Sequence, residues 1–177
     1  MVADRGDEIF ADEHDSAELA ALVNDAYRGT GRVQGWTSEA HLLGGQRIDA
    51  DMVADLLCAQ DSYIVVRRDA AGLAACLHVR RVSTTQVDLG LFAVRPDCQG
   101  RGVGGRLLAA AEAWAHSVLG ACRAEITVIG LREDLVAWYR RRGYCFTGMR
   151  RPFPYGDARF GHPRRPDLAL DVMSKAL

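Results

Sequence analysis

Residues 86–105 read QVDLGLFAVRPDCQGRGVGG, an apolar stretch that passes into a glycine-rich loop. Residues 86–94 have the composition of a buried β-strand, residues 99–105 form the loop, and an Ala/Leu-rich helix follows. This order leaves several backbone N–H groups unpaired at the N-terminus of a helix, where the helix dipole also favours an anion. The stretch therefore predicts a binding site for a phosphorylated cofactor.

The length and composition of the chain are those of an ordinary globular protein. It has 177 residues, 49% of them hydrophobic and 25% charged, and we expect one domain over residues 1–177. Apolar runs stay below the ~18 residues that a membrane-spanning helix needs, and the acidic N-terminus is unlike a signal peptide. We expect a cytoplasmic protein without a membrane partner.

Five cysteines stand far apart without a Cys-x-x-Cys pair, which predicts buried, reduced thiols rather than disulfides or a metal site.

The charge is unevenly distributed along the chain: residues 1–61 contain 13 acidic and 4 basic residues, and residues 62–177 contain 10 acidic and 18 basic residues. Either the acidic half binds a cationic substrate and the basic half binds an anionic cofactor, or both halves are only solvated surfaces. The net charge of −1 gives little support for nucleic-acid binding. A single lysine, Lys175, makes Schiff-base chemistry improbable.

The periodicity of apolar residues predicts a mixed α/β domain, with antiparallel hairpins first and then a β-loop-α-β-α-β run. Asp15-Ser-Ala-Glu18 resembles a capping box at the start of the first helix, and residues 36–44 resemble a short helical turn. The predicted strands are 7–11, 62–68, 73–82, 86–94, 123–129, 144–149 and 167–173. The first predicted helix starts at residue 15, and the three others cover residues 49–60, 104–118 and 133–142.

The loop by itself is compatible with more than one phosphate cofactor. Residues 100–105 match Gly-x-Gly-x-x-Gly, the fingerprint of dinucleotide-binding folds. That fingerprint directly follows its strand, whereas residues 95–98 intervene here, and Glu125 precedes the apolar run of the next strand instead of ending it. The context therefore disfavours a dinucleotide, and a P-loop is excluded because no Gly-Lys-Ser/Thr follows.

Two motifs together resemble the GNAT superfamily of N-acetyltransferases. The first is the acetyl-CoA loop, in which the family's usual residues are matched by Val94, Pro96, Gln99, Gly102 and Gly104. The second is Tyr139-Arg-Arg-Arg-Gly143-Tyr144, close to the family's Tyr-x-x-x-Gly-Phe, one helix and one strand later. The order of elements agrees from about residue 7 to residue 174.

The resemblance implies a mostly antiparallel, twisted sheet flanked by helices, with splayed central strands and acetyl-CoA (coenzyme A) as cofactor. Pantetheine would lie in the gap between the splayed strands, and the pyrophosphate would lie on the amides of the loop, where only glycine lets the backbone come close. Arg101 and Arg106 would add charge-assisted bonds to phosphate; the alternative for Arg101 is a solvated loop arginine. The implied cofactor-binding residues are Phe92, Ala93, Val94, Gln99, Gly100, Arg101, Gly102, Val103, Gly104 and Gly105.

The resemblance also implies catalytic roles. Tyr139 would be the general acid that protonates the leaving thiolate, since a phenol has a reference pKa near 10; the alternative is packing beside Trp138. Asp88 would be the general base, because alternation puts it on one strand face with Gly90; the alternative is that it lies too far from the sulfur. Glu39 and His41 are weaker candidates for the base.

The chain departs from the family at Arg132, where many members have an asparagine that contacts the cofactor. We expect Arg132 to contact pantetheine or phosphate instead. Residues 34–47 and 150–166 would form the acceptor pocket, with Arg151 and Arg159 favouring a carboxylate but Glu39 and Asp157 favouring a cation. The aromatic residues either form its walls or pack in the core: Trp36, Phe153, Tyr155 and Phe160.

The resemblance therefore implies an acetyl-CoA-dependent N-acetyltransferase that acts on a primary amine of a small molecule or peptide by direct attack. The alternative is a module of the same fold that binds acyl-CoA without turnover, as a sensor or interaction domain. Many members of the family dimerise, so a homodimer is compatible with the resemblance.

Overall fold

A seven-stranded sheet forms the centre of the protein in the computed structural model, which describes residues 8–29, 35–157 and 161–177. The strand order is β1-β3-β4-β5-β6-β9-β7, and a separate two-stranded ribbon pairs β2 with β8. The strands are β1 (Glu8–Phe10), β2 (Leu43–Gly44), β3 (Ser62–Asp69), β4 (Gly72–Arg81), β5 (Gln86–Val94), β6 (Arg123–Ile129), β7 (Cys145–Pro152), β8 (His162–Pro163) and β9 (Ala169–Ala176). The helices are α1 (Ser16–Arg28), α2 (Ala50–Cys58), α3 (Val103–Leu119) and α4 (Glu133–Arg140).

The strands β5 and β6 pair in parallel, whereas all other neighbours in the sheet are antiparallel. Their pairing covers only residues 86–89 and 123–126, although β5 continues to Val94 and β6 to Ile129. Beyond Leu89 the two strands diverge, so the predicted mixed sheet with splayed central strands is confirmed.

A β-bulge lies at the point where β5 leaves β6. On the other edge of β5, Cys76 pairs with Ala93 and His78 with Gly90, so two residues of β5 face one residue of β4. One of the two, Leu91, has φ of 43°, a conformation that is uncommon for a residue with a branched side chain. Because a bulge bends its strand, it supports the divergence of β5 from β6.

Helices cover both faces of the sheet. The α3 face built from Leu107, Ala111 and Ala115 is fully buried against strand residues such as Leu77 and Val79. The opposite face, which alternate strand residues such as Cys76 provide, packs against α1 and α2. In α1 the residues that pack on the sheet are buried: Leu19, Leu22, Val23 and Ala26. None of the helices in the described part of the chain is long and apolar enough to span a bilayer.

Two local predictions are wrong. The capping box lies three residues upstream, between Asp12 and Asp15 of a 3₁₀ turn, because Glu18 instead accepts a hydrogen bond from the Leu73 amide (2.7 Å). Residues 36–44 form turns that end in β2 rather than a helical turn, because Leu43 and Gly44 pair with β8.

The five cysteines are all free thiols, but only Cys76 and Cys98 are buried. Cys58, Cys122 and Cys145 are exposed, which corrects the expectation that all would be buried. They lie at the end of α2, before β6 and at the start of the edge strand β7, positions that the cores on the two sheet faces do not cover.

Replacing Leu107 with Ala tests the packing of α3 against the sheet. We expect the free energy of unfolding to fall by about 2–5 kcal/mol, because a fully buried leucine leaves a cavity when truncated. Val118→Ala, on the exposed side of the same helix, is the matched control and should change it by less than about 0.5 kcal/mol. Urea unfolding measures both, and equal effects would contradict the described orientation of α3.

Candidate active site

A cavity of about 1140 Å³ runs from the glycine-rich loop through the gap between β5 and β6 towards α1 and α2. Both predicted catalytic residues, Asp88 and Tyr139, line it. Ala93, Arg101 and Tyr155 are predicted site residues that do not line it. The other lining residues from the prediction are Phe92, Val94, Gln99, Gly100, Gly102, Val103, Gly104, Gly105, Arg132, Trp36, Glu39 and Phe153.

The glycine-rich loop forms a cradle at one end of the cavity. Gly102 precedes α3 with φ of 76° and has no side chain to cap the helix, so the first amides of α3 have no intrahelical acceptor. A Cβ on Gly104 would lie 3.2 Å from Val94 Cγ2 and 3.4 Å from Phe92 Cζ. The helix N-terminus therefore packs directly on the diverging end of β5, and its free amides suit a phosphate group.

The side chain of Gln99 ties this loop to the segment before α2. Its Nε2 donates to Val94 O (2.8 Å) and Thr37 Oγ1 (3.1 Å), and its Oε1 accepts from the Trp36 amide (3.0 Å). Its carboxamide is therefore satisfied by the protein itself. Gln99 contributes to a cofactor site through the loop conformation that these bonds hold.

Arg142 is a cation near the cradle that sequence reasoning missed. Its Cζ lies 3.4 Å from the ring centroid of Trp138, and its Nη1 donates to Trp138 O (2.9 Å). A Cβ on Gly105 would lie 3.1 Å from its Nη2, so the guanidinium adjoins the first turn of α3. It has no acidic partner within the described ranges. The only sign of Arg142 in the sequence is its position in the run of three arginines at 140–142, and such a run is equally typical of a solvated helix end.

Tyr139 is 6% exposed and is fixed by edge-on ring contacts to Trp138 (5.1 Å) and Tyr144 (5.4 Å). Tyr144 is itself held, because its hydroxyl donates to Glu112 Oε1 (2.8 Å). The Tyr139 hydroxyl bonds to no residue of the described ranges. Burial raises the pKa of Tyr139 above its usual value, so the hydroxyl keeps its proton at neutral pH and can donate it within the cavity.

Asp88 lies on β5 before the divergence, facing β4 and β6. Its Oδ2 is 2.9 Å from Arg80 Nη2, and Glu125 is opposite it in the parallel register. Its carboxylate therefore takes part in an ion pair. On the same strand face, His78 lines the cavity next to Arg80.

Arg132 and Glu39 form a buried ion network instead of presenting free charges. Arg132, 4% exposed, donates to Thr37 O (2.9 Å) and to Glu39 Oε1 (3.3 Å). Arg28 Nη1 bonds the other carboxylate oxygen of Glu39 at 3.2 Å. Glu39 therefore has both oxygens engaged, and the network holds residues 36–39 against the start of α4.

Aromatic side chains border part of the cavity. Trp36 is 43% exposed, and Phe153 is buried against Tyr155, with ring centroids 5.3 Å apart. Tyr155 supports Phe153 from outside, since its hydroxyl accepts from the Leu168 amide (2.7 Å). Arg151 lines the cavity, whereas His41 does not. Phe160 and Arg159 lie outside the described residues.

Tyr27 of α1 is a further cavity residue that the sequence did not reveal. Its hydroxyl donates to Phe92 O (3.2 Å), and the Arg47 guanidinium lies 5.6 Å from its ring centroid. Burial raises its pKa to about 12. Tyr27 therefore satisfies a carbonyl of β5 in the stretch that has no pairing with β6.

Replacing Glu39 with Gln tests the buried network. We expect a loss of about 3–5 kcal/mol in the free energy of unfolding, because Arg28 and Arg132 then remain buried without a negative partner. Asp167→Asn removes the carboxylate of the exposed Arg165–Asp167 pair and should leave stability unchanged. Urea unfolding measures both variants, and an unchanged free energy of unfolding for Glu39→Gln would show that the network does not stabilise the fold.

Comparison with known proteins agrees with this geometry. The sequence model of the acetyltransferase (GNAT) family matches residues 32–144. None of the curated proteins matches the chain. The structure of a GNAT-family acetyltransferase from Streptococcus pneumoniae superposes with a TM-score of 0.64 at 18% identity, over 96% of this chain and 98% of that one.

Two further solved structures share the fold. Spermidine N-acetyltransferase from Vibrio cholerae gives a TM-score of 0.67 at 13% identity, over 96% of this chain and 94% of that one. A GNAT-family acetyltransferase from Elizabethkingia anophelis with acetyl-CoA bound gives 0.56 at 14% identity, over 72% of this chain and 82% of that one. Since the family match spans more than half of its residues and the fold agrees, the chain belongs to the GNAT family of acetyltransferases.

Proposed function

We propose that the protein transfers an acetyl group from acetyl-CoA to a primary amine of a small molecule or peptide by direct attack. One observation carries the proposal: the gap between β5 and β6 joins an uncapped helix N-terminus to a protonated tyrosine hydroxyl, to which none of the described residues bonds, within one cavity. The first feature suits a phosphorylated donor, and the second suits a leaving thiolate. A bound acetyl-CoA in the Elizabethkingia relative supports the choice of donor.

The backbone of β5 is suited to bind pantetheine. The Arg95 amide donates to Ala74 O (2.8 Å) on the β4 side, so the backbone groups of Phe92 and Val94 point to the β6 side by alternation. Their carbonyls accept from Tyr27 and Gln99, but a carbonyl oxygen has a second lone pair and each amide is a separate donor. We propose that Phe92 and Val94 make the direct contacts and that Ala93 positions them.

The loop amides and nearby arginines are suited to bind the phosphates. We propose that the amides of residues 99–105 hold the pyrophosphate, since Gly100 and Gly102 have left-handed backbones that expose N–H groups. Arg142, Arg106 and Arg101 add positive charge, and Arg106 Nη1 already donates to Arg101 O (3.2 Å). For Arg132, which we expect to contact the cofactor, we propose a positioning role as well, because its bonds hold residues 36–39 at this border of the cavity.

Acetyl-CoA supplies an activated acetyl thioester, and the chain supplies proton transfer and orientation. Tyr139 donates its hydroxyl proton to the departing sulfur. Asp88, predicted from the resemblance as the general base, carries a negative charge that attracts the ammonium form of the acceptor. The apolar border formed by Trp36 and Phe153 favours an acceptor with a hydrophobic part.

Release of free thiol from acetyl-CoA across a panel of amines tests the proposal. The panel includes spermidine, because one structural relative is a spermidine N-acetyltransferase. We expect thiol release that depends on both an amine and the protein. Tight binding of coenzyme A without release for any amine would overturn the enzyme and favour an acyl-CoA-binding module.

Replacing Tyr139 with Phe should lower kcat by about 100-fold or more, the usual contribution of a general acid, while the Kd for coenzyme A changes little. The ring contacts that fix residue 139 remain in the variant. Tyr155→Phe removes a hydroxyl outside the cavity and serves as the control. Steady-state kinetics and calorimetric titration measure both, and an unchanged kcat in the Tyr139 variant would refute its role.

Replacing Gly102 with Ala should weaken binding of coenzyme A by about tenfold or more, equivalent to losing one charge-assisted hydrogen bond. A Cβ there would lie 2.9 Å from Arg106 Nη1, and the left-handed backbone costs about 1–2 kcal/mol for a non-glycine residue. Gly120→Ala places the same strain at the opposite end of α3 and controls for stability. Equal affinities for coenzyme A in the two variants would contradict a phosphate site at Gly102.

A further inference from the structure

His78 has a hydrogen-bond arrangement that determines where its proton lies. The Ser62 hydroxyl donates its only proton to Leu56 O (2.5 Å), because a carbonyl can only accept. Ser62 Oγ also lies 2.8 Å from His78 Nε2, and with its proton committed it must accept there. Nε2 of His78 therefore carries the N–H, and in a neutral ring Nδ1 carries the free lone pair.

Space for a ligand lies beside this imidazole. His78 lines the cavity, and its cross-strand partner on β5 is Gly90. A Cβ on Gly90 would meet nothing within 4 Å, so the β5 side of the ring is open. Nδ1 has no hydrogen-bond partner among the residues that the structure describes.

Burial keeps the ring neutral. Burial first and the positive charge of Arg80 second, opposed by the negative charge of Asp88, lower the pKa of His78 to about 4. From the other elements that border the cavity, Asp55 of α2 and Glu125 of β6 contribute negative charge. At physiological pH the imidazole is a base with an available lone pair.

Asp88, the base that the family resemblance suggests, is less free. Arg80 Nη2 lies 2.9 Å from its Oδ2, so this carboxylate is already engaged in an ion pair. A neutral imidazole has no such pair to lose. Asp88 is therefore better suited to attract an ammonium group than to deprotonate it.

We propose that His78 is the general base of the transfer, accepting at Nδ1 the proton of the acceptor's ammonium, directly or through one water. This assignment rests on the proposed function. His78 takes one N–H proton at Nδ1 and holds it, which frees the nitrogen lone pair to bond to the acetyl carbon, and it releases that proton to solvent after the transfer. The carbon–sulfur bond breaks, Tyr139 gives its proton to the sulfur, and it recovers one from the second N–H of the nitrogen.

The assignment predicts an unusual pH dependence. With a neutral base and an ammonium acceptor as the reactive forms, kcat/KM stays flat between about pH 6 and 8, well above the pKa near 4 and below the pKa of about 10 of a primary amine. Without a base only free amine reacts, and its fraction rises tenfold for each unit of pH. The logarithm of kcat/KM then rises with a slope of one.

His78→Gln is the sharpest test, because the Gln amide can still donate to Ser62 Oγ but is not basic. We expect this variant to bind coenzyme A normally, to lose about 100-fold in kcat/KM near pH 6.5 with the best amine of the panel, and to regain tenfold for each unit of pH. Asp88→Asn removes the charge that attracts the ammonium group, so kcat/KM should fall at every pH, but its pH profile should stay flat. A flat profile for His78→Gln, or a slope of one for Asp88→Asn alone, would overturn the assignment.

A readout without turnover separates this inference from the proposed function. Nitrogen-15 NMR of the labelled protein without ligands, with His78→Gln used to assign the signal, should show a neutral ring with Nε2 protonated at pH 7. An imidazolium, or a proton on Nδ1, would overturn the assignment even if acetyl transfer is observed. Absence of transfer in the unmodified protein would instead overturn the proposed function.

Discussion

The end of pairing between β5 and β6 after Leu89 is the constraint on which the rest of the site depends. Backbone groups inside a protein need hydrogen-bond partners, and β6 pairs with no residue of β5 after Leu89. The Tyr27 hydroxyl and the Gln99 carboxamide supply partners for the carbonyls of Phe92 and Val94. The bulge at Leu91 interrupts the pairing with β4 locally and lets β5 bend, while the pairing continues on both sides of it.

The segment at residues 36–39 is held open by contacts from three distant parts of the chain. Gln99 bonds Trp36 and Thr37, and Arg28 and Arg132 bind the two oxygens of Glu39. Gln99, Arg132 and Glu39, which the sequence analysis names as candidates for direct contact with a ligand, therefore support the cavity wall. The glycine-rich loop, α1 and the start of α4 are therefore all linked to this one segment of the cavity wall.

The sequence predicted the elements that local pattern controls. The bounds of β5 and β6 agree with prediction, because each strand is an apolar run of β-forming residues between turns. The glycine-rich loop and Tyr139 were found because their spacing is local. The roles of Arg132, Glu39 and His78 depend on partners that lie from 11 to 95 residues away, and no periodicity encodes such pairs. The two-residue strands β2 and β8 were missed for the same reason, since only their mutual pairing defines them.

In the proposed function the diverging end of β5 and the first turn of α3 together bind coenzyme A. Hydrogen exchange of backbone amides, measured with and without saturating coenzyme A, tests this binding mode most directly, because it relies on amides to which the described residues offer no acceptor. The account predicts slower exchange in the segment 92–105 and unchanged exchange in β1 and β3, which lie on the far side of β4. Binding of coenzyme A that leaves the exchange of residues 92–105 unchanged would contradict it.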